Sequence, residues 1–183
     1  YSNGLVFSAL CGDLGHGFGN AEKNPELIEK SKRIIDLAKE LGTNVVTTHI
    51  GVVPNDPNHD RYKIMQAACY ELSRYADDID AHFAIETGPE TSATLKTFLD
   101  ALDSTGVAVN LDPANLVMVT GDDPVKAVHN LKKYIVHTHA KDGIKLNDGK
   151  KRDLNIVIGG EAKDHDALLG MGEKYLELPL GEG

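Results

Sequence analysis

A short apolar run followed by a helix-forming segment recurs along the chain, and this alternation constrains the fold more than any other feature. Runs rich in β-branched and other apolar residues are typical of buried strands. They alternate with segments in which apolar side chains recur at helical spacing. Because strands that alternate with helices pair in parallel, the sequence predicts an α/β domain built on a parallel sheet. The predicted strands start near residues 4, 44, 82, 107 and 135.

Capping and turn residues mark where the predicted helices begin. We predict that Asn24-Pro25 opens the first helix, with Asn24 as the N-cap and Pro25 at the first helical position. Asp123-Pro124 marks a later helix in the same way. Apolar side chains at helical spacing predict two further helices, over residues 61–78 and 91–102.

The alternation has limits at both ends of the chain. The first strand is predicted over Gly4–Leu10, and the regular pattern stops after Gly143. Five clear strands fit either an open doubly wound sheet or part of a (β/α)₈ barrel, which typically needs about 250 residues. The chain has 183 residues, which we treat as a single domain over 1–183. Beyond Gly143 we expect a polar loop over 145–153, a short helix over 164–171 and a short segment over 176–180 that Pro179 interrupts.

Four successive predicted strands end in residues that can bind a metal ion or transfer a proton. The carboxyl ends of parallel strands meet at one edge of the sheet, where α/β proteins bind their ligands. We therefore expect these four side chains to converge on one site. They are His49 in NVVTTHIG, Glu86 in AHFAIETGP, Asp112 in TGVAVNLDPAN and His139 in YIVHTHAKDG.

Carboxylate oxygen and imidazole nitrogen together suit a divalent cation, with Mn²⁺, Mg²⁺, Co²⁺ and Zn²⁺ as the candidates. Such a cation polarises a sugar carbonyl and stabilises the enediolate formed when a neighbouring C–H proton is removed, and a carboxylate at the site can act as the base. Two points stay open. His137 lies on the same side of its strand as His139, so only one of them need reach the metal. Asp112 could instead be an Asx-turn residue before Pro113.

Residues 11–20, CGDLGHGFGN, are predicted to form a loop that contains four glycines and His16. Glycines at this density let the backbone approach a ligand closely, which makes His16 a candidate substrate-binding residue; a flexible connector is the alternative. The loop lacks the G-x-G-x-x-G spacing of a dinucleotide-binding fingerprint and does not lead directly into a helix.

Charge and cysteine content argue against several classes of protein. A net charge of −9 offers no basic face for a nucleic-acid backbone. Cys11 and Cys69 lack paired spacing, so neither a disulfide scaffold nor a zinc ribbon is indicated. No apolar run approaches the roughly 20 residues of a membrane span, and no signal peptide is visible at Tyr1. We therefore expect a cytoplasmic protein that contacts neither nucleic acid nor membranes.

Several of these segments together resemble the xylose isomerase-like (β/α)₈ barrel superfamily, and within it the sugar phosphate isomerase/epimerase group. The matching segments run nearly from end to end of the chain in the order of the family, and the H-x-K-D and Asp-Pro-Ala-Asn elements are fairly specific together. The segments are SALCGDLG (8–15), VVTTHIG (45–51), AIETGPET (84–91), VNLDPANL (109–116), VHTHAKDG (136–143) and PLGEG (179–183).

The resemblance implies a ligand set. Glu86, Asp112 and His139 match three of the four metal ligands of the family. Glu86 is also the expected catalytic residue, because metal-bound glutamates transfer the protons in related epimerases. Around this set, the candidate substrate-binding residues are His16, His49, Asn115 and Lys141.

The resemblance also implies an incomplete barrel. Gly4–Leu10 matches the second strand of the family's barrel, and PLGEG precedes its final helix and strand. The first strand and helix and the last helix and strand are therefore expected to be missing from this chain. Glu182 matches a loop glutamate and not the fourth metal ligand. A short barrel exposes sheet edges, which favour association, so a homo-oligomer is among the expected partners, beside a small sugar or sugar phosphate.

These observations predict a sugar or sugar-phosphate isomerase or epimerase that uses one divalent ion and proceeds by proton abstraction and an enediolate. A metal-assisted phosphodiester hydrolase is the first alternative. The three-zinc endonuclease of the same superfamily, however, needs a histidine three residues after the Asp, where this chain has Asn115. A non-catalytic sugar-binding barrel remnant that has lost part of its ligand set is the second alternative.

Overall fold

A five-stranded parallel sheet forms the centre of the fold. The computed structural model of the protein describes residues 3–154, 156–158 and 161–183. In this sheet the strands lie side by side in chain order, and each pairs in parallel with the next. They are β1 (Leu10–Cys11), β2 (Val45–Thr48), β3 (His82–Glu86), β4 (Val107–Leu111) and β5 (Ile135–Thr138).

The order of the strands distinguishes between the two architectures that the sequence allowed. A doubly wound sheet reverses its strand order at a switch point, whereas a (β/α)₈ barrel adds each strand beside the previous one. Here the order never reverses. In addition, β5 contacts β2 and β3, which are not its hydrogen-bonded neighbours, so the sheet curves. This is part of a (β/α)₈ barrel, and the predicted fold class is confirmed.

Helices alternate with these strands and cover the sheet. The predicted helices over 61–78 and 91–102, and the start at Asp123-Pro124, are confirmed to within two residues. No helix among the described residues is long and apolar enough to cross a membrane. The helices are α1 (Asn24–Glu40), α2 (Asp60–Asp78), α3 (Ser92–Asp100), α4 (Pro113–Asn115), α5 (Pro124–Leu131) and α6 (His165–Gly170), with a π-helical turn over Leu116–Thr120.

The hydrophobic core lies between the sheet and the helices. Every residue of β4 is buried, as expected of a parallel strand covered on both faces. Aromatic rings join the layers by edge-to-face contacts. Phe83 of β3 lies 6.1 Å from Phe18, and Tyr62 of α2 lies 5.3 Å from Phe98 of α3, measured between ring centroids. This core fixes the relative positions of the strand ends.

The predicted strand over Gly4–Leu10 is wrong except at its last residue. β1 comprises only Leu10 and Cys11, and the apolar side chains of Leu5, Val6 and Phe7 are exposed. The reason is register. Leu10 pairs with Val46, and β2 begins at Val45, so the residues before Ala9 have no neighbouring strand in β2 to which they could hydrogen-bond.

The first helix begins as predicted, but its cap differs. Lys23 and not Asn24 occupies the N-cap position, and the Lys23 side chain makes no capping hydrogen bond. The Asn24 side chain instead donates from Nδ2 to the carbonyl oxygen of Phe18 at 3.0 Å. Asn24 therefore ties the glycine-rich loop to the helix, which is a tertiary role that local capping rules do not predict.

Beyond β5 the chain forms short antiparallel pairs that the sequence analysis missed. β6 (Asp142–Lys145) pairs with β9 (Tyr175–Leu178), and β7 (Ile156–Ile158) pairs with β8 (Glu161–Lys163). The predicted short helix over 164–171 is confirmed as α6. The β6–β9 pair brings the segment just before Pro179 back to the strand ends.

Replacing Tyr134 by phenylalanine is expected to lower the free energy of unfolding by about 1–2 kcal/mol. The ring of Tyr134 is buried, and its hydroxyl donates to Asp100 Oδ1 at 2.6 Å, so the change removes a hydrogen bond to a charged acceptor. Urea unfolding measures the difference. Tyr70→Phe, at an exposed ring on α2, is the matched control and should change stability little.

Candidate metal centre

The ends of β3, β4 and β5 bring a glutamate, an aspartate and a histidine together. Glu86 is the last residue of β3, while Asp112 and His139 directly follow β4 and β5. The parallel registers, which pair Glu86 with Asn110 and Leu111 with Thr138, place the three ends at the same level. One ligand atom from each of the three residues lies within 4.8 Å of the other two.

The spacing and chemistry of these atoms fit one divalent ion. His139 Nδ1 lies 3.3 Å from Asp112 Oδ2 and 3.7 Å from Glu86 Oε1. Ligands that each sit about 2.1 Å from a single ion at angles near 90–110° are about 3–3.5 Å apart. Two carboxylates and one imidazole are a donor set that Mn²⁺, Mg²⁺, Co²⁺ and Zn²⁺ accept. The group is the candidate metal site of the described part of the chain.

Asp112 is buried and held on several sides. Its backbone N–H donates to Thr87 Oγ1 at 2.8 Å, and that hydroxyl donates to the Asp112 carbonyl oxygen at 3.0 Å. Asp112 Oδ1 accepts from the backbone N–H of Asn115 at 2.9 Å, so the aspartate caps α4 as an Asx-turn residue does. Oδ2 is the oxygen that faces His139. The turn role and the ligand geometry therefore coexist, one on each carboxylate oxygen.

Asn115 and Lys141 line the same site. Asn115 Nδ2 donates to Glu86 Oε1 at 2.9 Å, and Lys141 Nζ donates to Asn115 Oδ1 at 2.9 Å. The close approach of Asn115 depends on Gly88, because a Cβ there would lie 2.7 Å from the Asn115 Cβ. Lys141 also lies 3.7 Å from Asp112 Oδ2.

The charge on Lys141 is stabilised at the rim of the site. Burial disfavours the ammonium, but the hydrogen bond to Glu177, with Nζ 2.9 Å from Oε1, and the surrounding carboxylates outweigh this effect and raise the pKa of Lys141. Glu177 lies on β9, so the β6–β9 pair supplies this partner. These contacts favour the charged form of the lysine beside the candidate metal-ligand group.

A buried asparagine bridges the two histidines of β5. Asn110 Oδ1 accepts from His137 Nδ1 at 2.9 Å, and Asn110 Nδ2 lies 3.1 Å from His139 Nε2. In this orientation the amide donates to Nε2 of His139, so the neutral ring carries its proton on Nδ1, which faces the carboxylates. Turning the amide over would place its oxygen on Nε2 and leave the Nδ1 lone pair free for a cation. Burial, and then the neighbouring His139, lower the pKa of His137, which favours its neutral form.

Asn110 was not among the residues predicted for the site, although the sequence carries a signal for it. Asn110 is the one polar residue in the apolar run of β4, and β4 is buried throughout. The geometry also separates the two histidines. His139 belongs to the candidate metal-ligand group, whereas His137 lies behind it on Asn110.

His49 contacts the other oxygen of the glutamate. Its Nε2 lies 3.6 Å from Glu86 Oε2, and its Nδ1 lies 3.1 Å from Asp13 Oδ2. The two oxygens of Glu86 therefore face different partners, with Oε1 toward Asn115 and His139 and Oε2 toward His49. Asp13, in the glycine-rich loop after β1, is a second residue that the sequence analysis missed.

His16 lies apart from these residues. It is exposed and lines an open cavity of about 440 Å³ formed by the glycine-rich loop and the start of α2, together with Lys23 and Arg61. No hydrogen bond or ion pair joins its side chain to Glu86, Asp112 or His139 in the described part of the structure. Of the four candidate substrate-binding residues, three surround the candidate metal-ligand group and His16 does not.

The structure is a segment of a (β/α)₈ barrel with a candidate metal site, made of one histidine and two carboxylates at adjacent strand ends. The chain belongs to the family described as "Xylose isomerase-like TIM barrel", which matches residues 2–179. This places nearly the whole chain within the family that the sequence motifs resemble.

Solved structures share this fold at low sequence identity. A xylose isomerase domain protein from Planctomyces limnophilus is 23% identical, with a TM-score of 0.69 over 91% of this chain and 53% of its own. A xylose isomerase-like TIM barrel protein from Mycobacterium smegmatis, solved in complex with magnesium, is 17% identical, with a TM-score of 0.67 over 100% of this chain and 60% of its own. The 3-keto-D-glucoside 4-epimerase YcjR from E. coli is 16% identical, with a TM-score of 0.64 over 75% of this chain and 59% of its own.

The chain spans between half and two thirds of the length of these structures. A search of the curated proteins found no match. The shared fold thus corresponds to part of a complete barrel.

Proposed function

We propose that this chain carries the catalytic metal site of a sugar or sugar-phosphate isomerase or epimerase. The observation that carries the proposal is the convergence of Glu86, Asp112 and His139 within 4.8 Å at three adjacent strand ends. Asn115 and Lys141 supply neutral and cationic donors beside them. Acid–base groups, hydrogen-bond donors and ion ligands on one face suit a substrate with adjacent oxygens and an acidic C–H.

Glu86 is the residue that we assign to proton transfer. Its Oε1 faces the other two ligands, while its Oε2 faces His49, so one carboxylate oxygen can bind the ion and the other can take a proton. Removal by Glu86 of a proton beside a carbonyl gives an enediolate. An isomer forms when Glu86 returns the proton to the neighbouring carbon while a proton moves from one enediolate oxygen to the other. An epimer forms when a water molecule protonates the opposite face and the resulting hydroxide takes the proton from Glu86. A bound divalent ion would supply Lewis-acid polarisation of the carbonyl.

The surrounding residues have supporting roles in this proposal. Lys141 and Asn115 orient substrate hydroxyl or carbonyl oxygens. His49, held by Asp13 at 3.1 Å, contacts the glutamate oxygen that exchanges the proton. The fold accommodates such chemistry, since a 3-keto-D-glucoside 4-epimerase and an L-ribulose 3-epimerase both share it.

The hydrolase alternative has less support. Asn115 stands where an additional metal-ligating histidine would be needed, and its side chain is committed to Glu86 and Lys141. The net charge of −9 opposes binding of a phosphodiester backbone.

Deuterium exchange into candidate sugars in D₂O tests the proposal. We expect the Mn²⁺-loaded chain to exchange a carbon-bound proton of an aldose, a ketose or one of their phosphates. Exchange should stop when a chelator removes the ion and return when the ion is restored. Proton NMR measures the exchange. If the ion is retained and no sugar exchanges, the proposal is overturned in favour of a non-catalytic sugar-binding domain.

A further inference from the structure

An open cavity of about 440 Å³ lies beside the glycine-rich loop, among the segments that follow the ends of β1 and β2. Its walls are the loop of residues 15–20, Lys23 just before α1, and Arg61 at the start of α2. No carboxylate is among these lining residues, although the chain as a whole has a net charge of −9. The cavity is thus a local concentration of positive charge on an acidic protein.

Backbone groups hold Arg61 in place, and no carboxylate of the described residues pairs with it. Its Nε donates to the carbonyl oxygen of Val52 at 3.3 Å. The guanidinium packs against two glycines, because a Cβ on Gly19 would lie 2.2 Å from Nη1 and a Cβ on Gly51 would lie 2.8 Å from Nη2. In the described part of the chain its terminal nitrogens have no acceptor, so they remain available to a ligand.

Backbone donors accompany these cations. The loop is anchored by the Phe18 N–H, which donates to the Ile50 carbonyl oxygen at 2.9 Å. In contrast, the backbone N–H groups of His16, Gly17, Gly19 and Asn20 have no protein acceptor among the described residues. Unpaired amides in a glycine-rich loop are donors that an anion can satisfy.

We infer that this cavity binds a phosphate group. A planar guanidinium recognises two oxygens of a phosphate, the Lys23 ammonium adds a mobile charge, and the loop amides and His16 can reach the remaining oxygens. A dianion with several acceptor oxygens uses donors on all of these walls, whereas a neutral hydroxyl leaves the charges of Arg61 and Lys23 uncompensated.

The cavity is connected to the candidate metal centre by a chain of short contacts. The Gly15 N–H donates to Asp13 Oδ1 at 2.8 Å, Asp13 Oδ2 lies 3.1 Å from His49, and His49 lies 3.6 Å from Glu86. If the proposed function holds, on which this step rests, the phosphate is a substituent of the sugar and the cavity selects phosphorylated over free sugars.

Binding of inorganic phosphate to the metal-free chain tests the site itself. Calorimetric titration in the presence of a chelator keeps phosphate away from any ion. We expect saturable binding that Arg61→Gln and Lys23→Gln each weaken about tenfold or more, since each removes a charged donor. Lys63→Gln is the matched control. Lys63 is an exposed lysine on the same helix as Arg61, outside the cavity lining, and its loss should change little.

The two variants separate a binding defect from a folding defect. Arg61 is packed in the fold, but Lys23 is exposed, so thermal unfolding of Lys23→Gln should match that of the unmodified chain. Equal phosphate affinity in the unmodified chain and in Lys23→Gln and Arg61→Gln, or no saturable binding at all, overturns the inference. This result is independent of the exchange assay, because a phosphate site can exist whether or not the chain exchanges sugar protons.

Discussion

Replacing Asp112 by asparagine, or Glu86 by glutamine, is expected to abolish retention of the divalent ion. Each change removes one of three candidate ligands. The affinity for the ion should therefore fall by more than about 100-fold, which is more than the loss of a residue that only supports a ligand would cause. Asp112→Asn keeps an oxygen for the Asn115 N–H and therefore keeps the cap of α4, while the side that faces His139 loses its negative charge. Elemental analysis after loading and desalting measures the ion content.

The unmodified chain should retain about one ion after the same treatment. Glu71→Gln is the control, since Glu71 is an exposed glutamate on α2 that pairs with Lys32 and should leave the ion content unchanged. Two or three ions per chain would contradict a mononuclear site and revive the hydrolase alternative. No retained ion in the unmodified chain would mean that the three ligands do not suffice.

Replacing Glu90 by glutamine is expected to remove a pH dependence of stability worth up to about 3 kcal/mol. Glu90 is buried, its Oε2 accepts from the Val53 N–H at 3.2 Å, and its Oε1 has no partner among the described residues. Burial raises the pKa of Glu90 to about 7. Since the folded-state pKa lies above that of the unfolded chain, the folded state loses stability as the pH rises from about 4.5 to about 7.

The difference between two pH values isolates this effect. Glutamine leaves its own amide partly unpaired at both pH values, so the change in ΔΔG between pH 5 and pH 8 reports the ionisation alone. The free energy of unfolding of Glu90→Gln minus that of the unmodified chain should be larger at pH 8 than at pH 5. Glu40→Gln, at an exposed position on α1, should show no such change. Equal urea-unfolding differences at both pH values for Glu90→Gln would contradict the expected titration.

Where local pattern and packing agree, the fold followed from the sequence. α2, α3 and α5 begin within two residues of the predicted positions, because apolar spacing and capping residues act within one helix. β1 does not follow its pattern, since strand length depends on where β2 begins. The π-helical turn over Leu116–Thr120 and the β6–β9 pair also went unpredicted, because they depend on contacts between distant segments.

The candidate site was predictable in its residue types and less so in its arrangement. His137 and His139 were equivalent by alternation, and the buried Asn110 separates their environments. His16 looked like part of the same site, but it lines a different cavity with Arg61. A sequence pattern shows which strand a residue follows. It does not show whether the loop after that strand holds the residue near the residues of the other strand ends or away from them.

The sequence by itself determined the parallel βα architecture and the resemblance to the xylose isomerase-like family, which the H-x-K-D and Asp-Pro-Ala-Asn elements carry. It also determined the three candidate metal ligands at the ends of β3, β4 and β5. These features are local, because periodicity and the residue after a strand are set by near neighbours in the chain. Only the tertiary structure decided the pairing of His49 with Asp13, the bridge through Asn110, and the packing of Arg61 between Gly19 and Gly51. Each of these brings together residues from different loops or strands, and their distances follow from strand register and core packing.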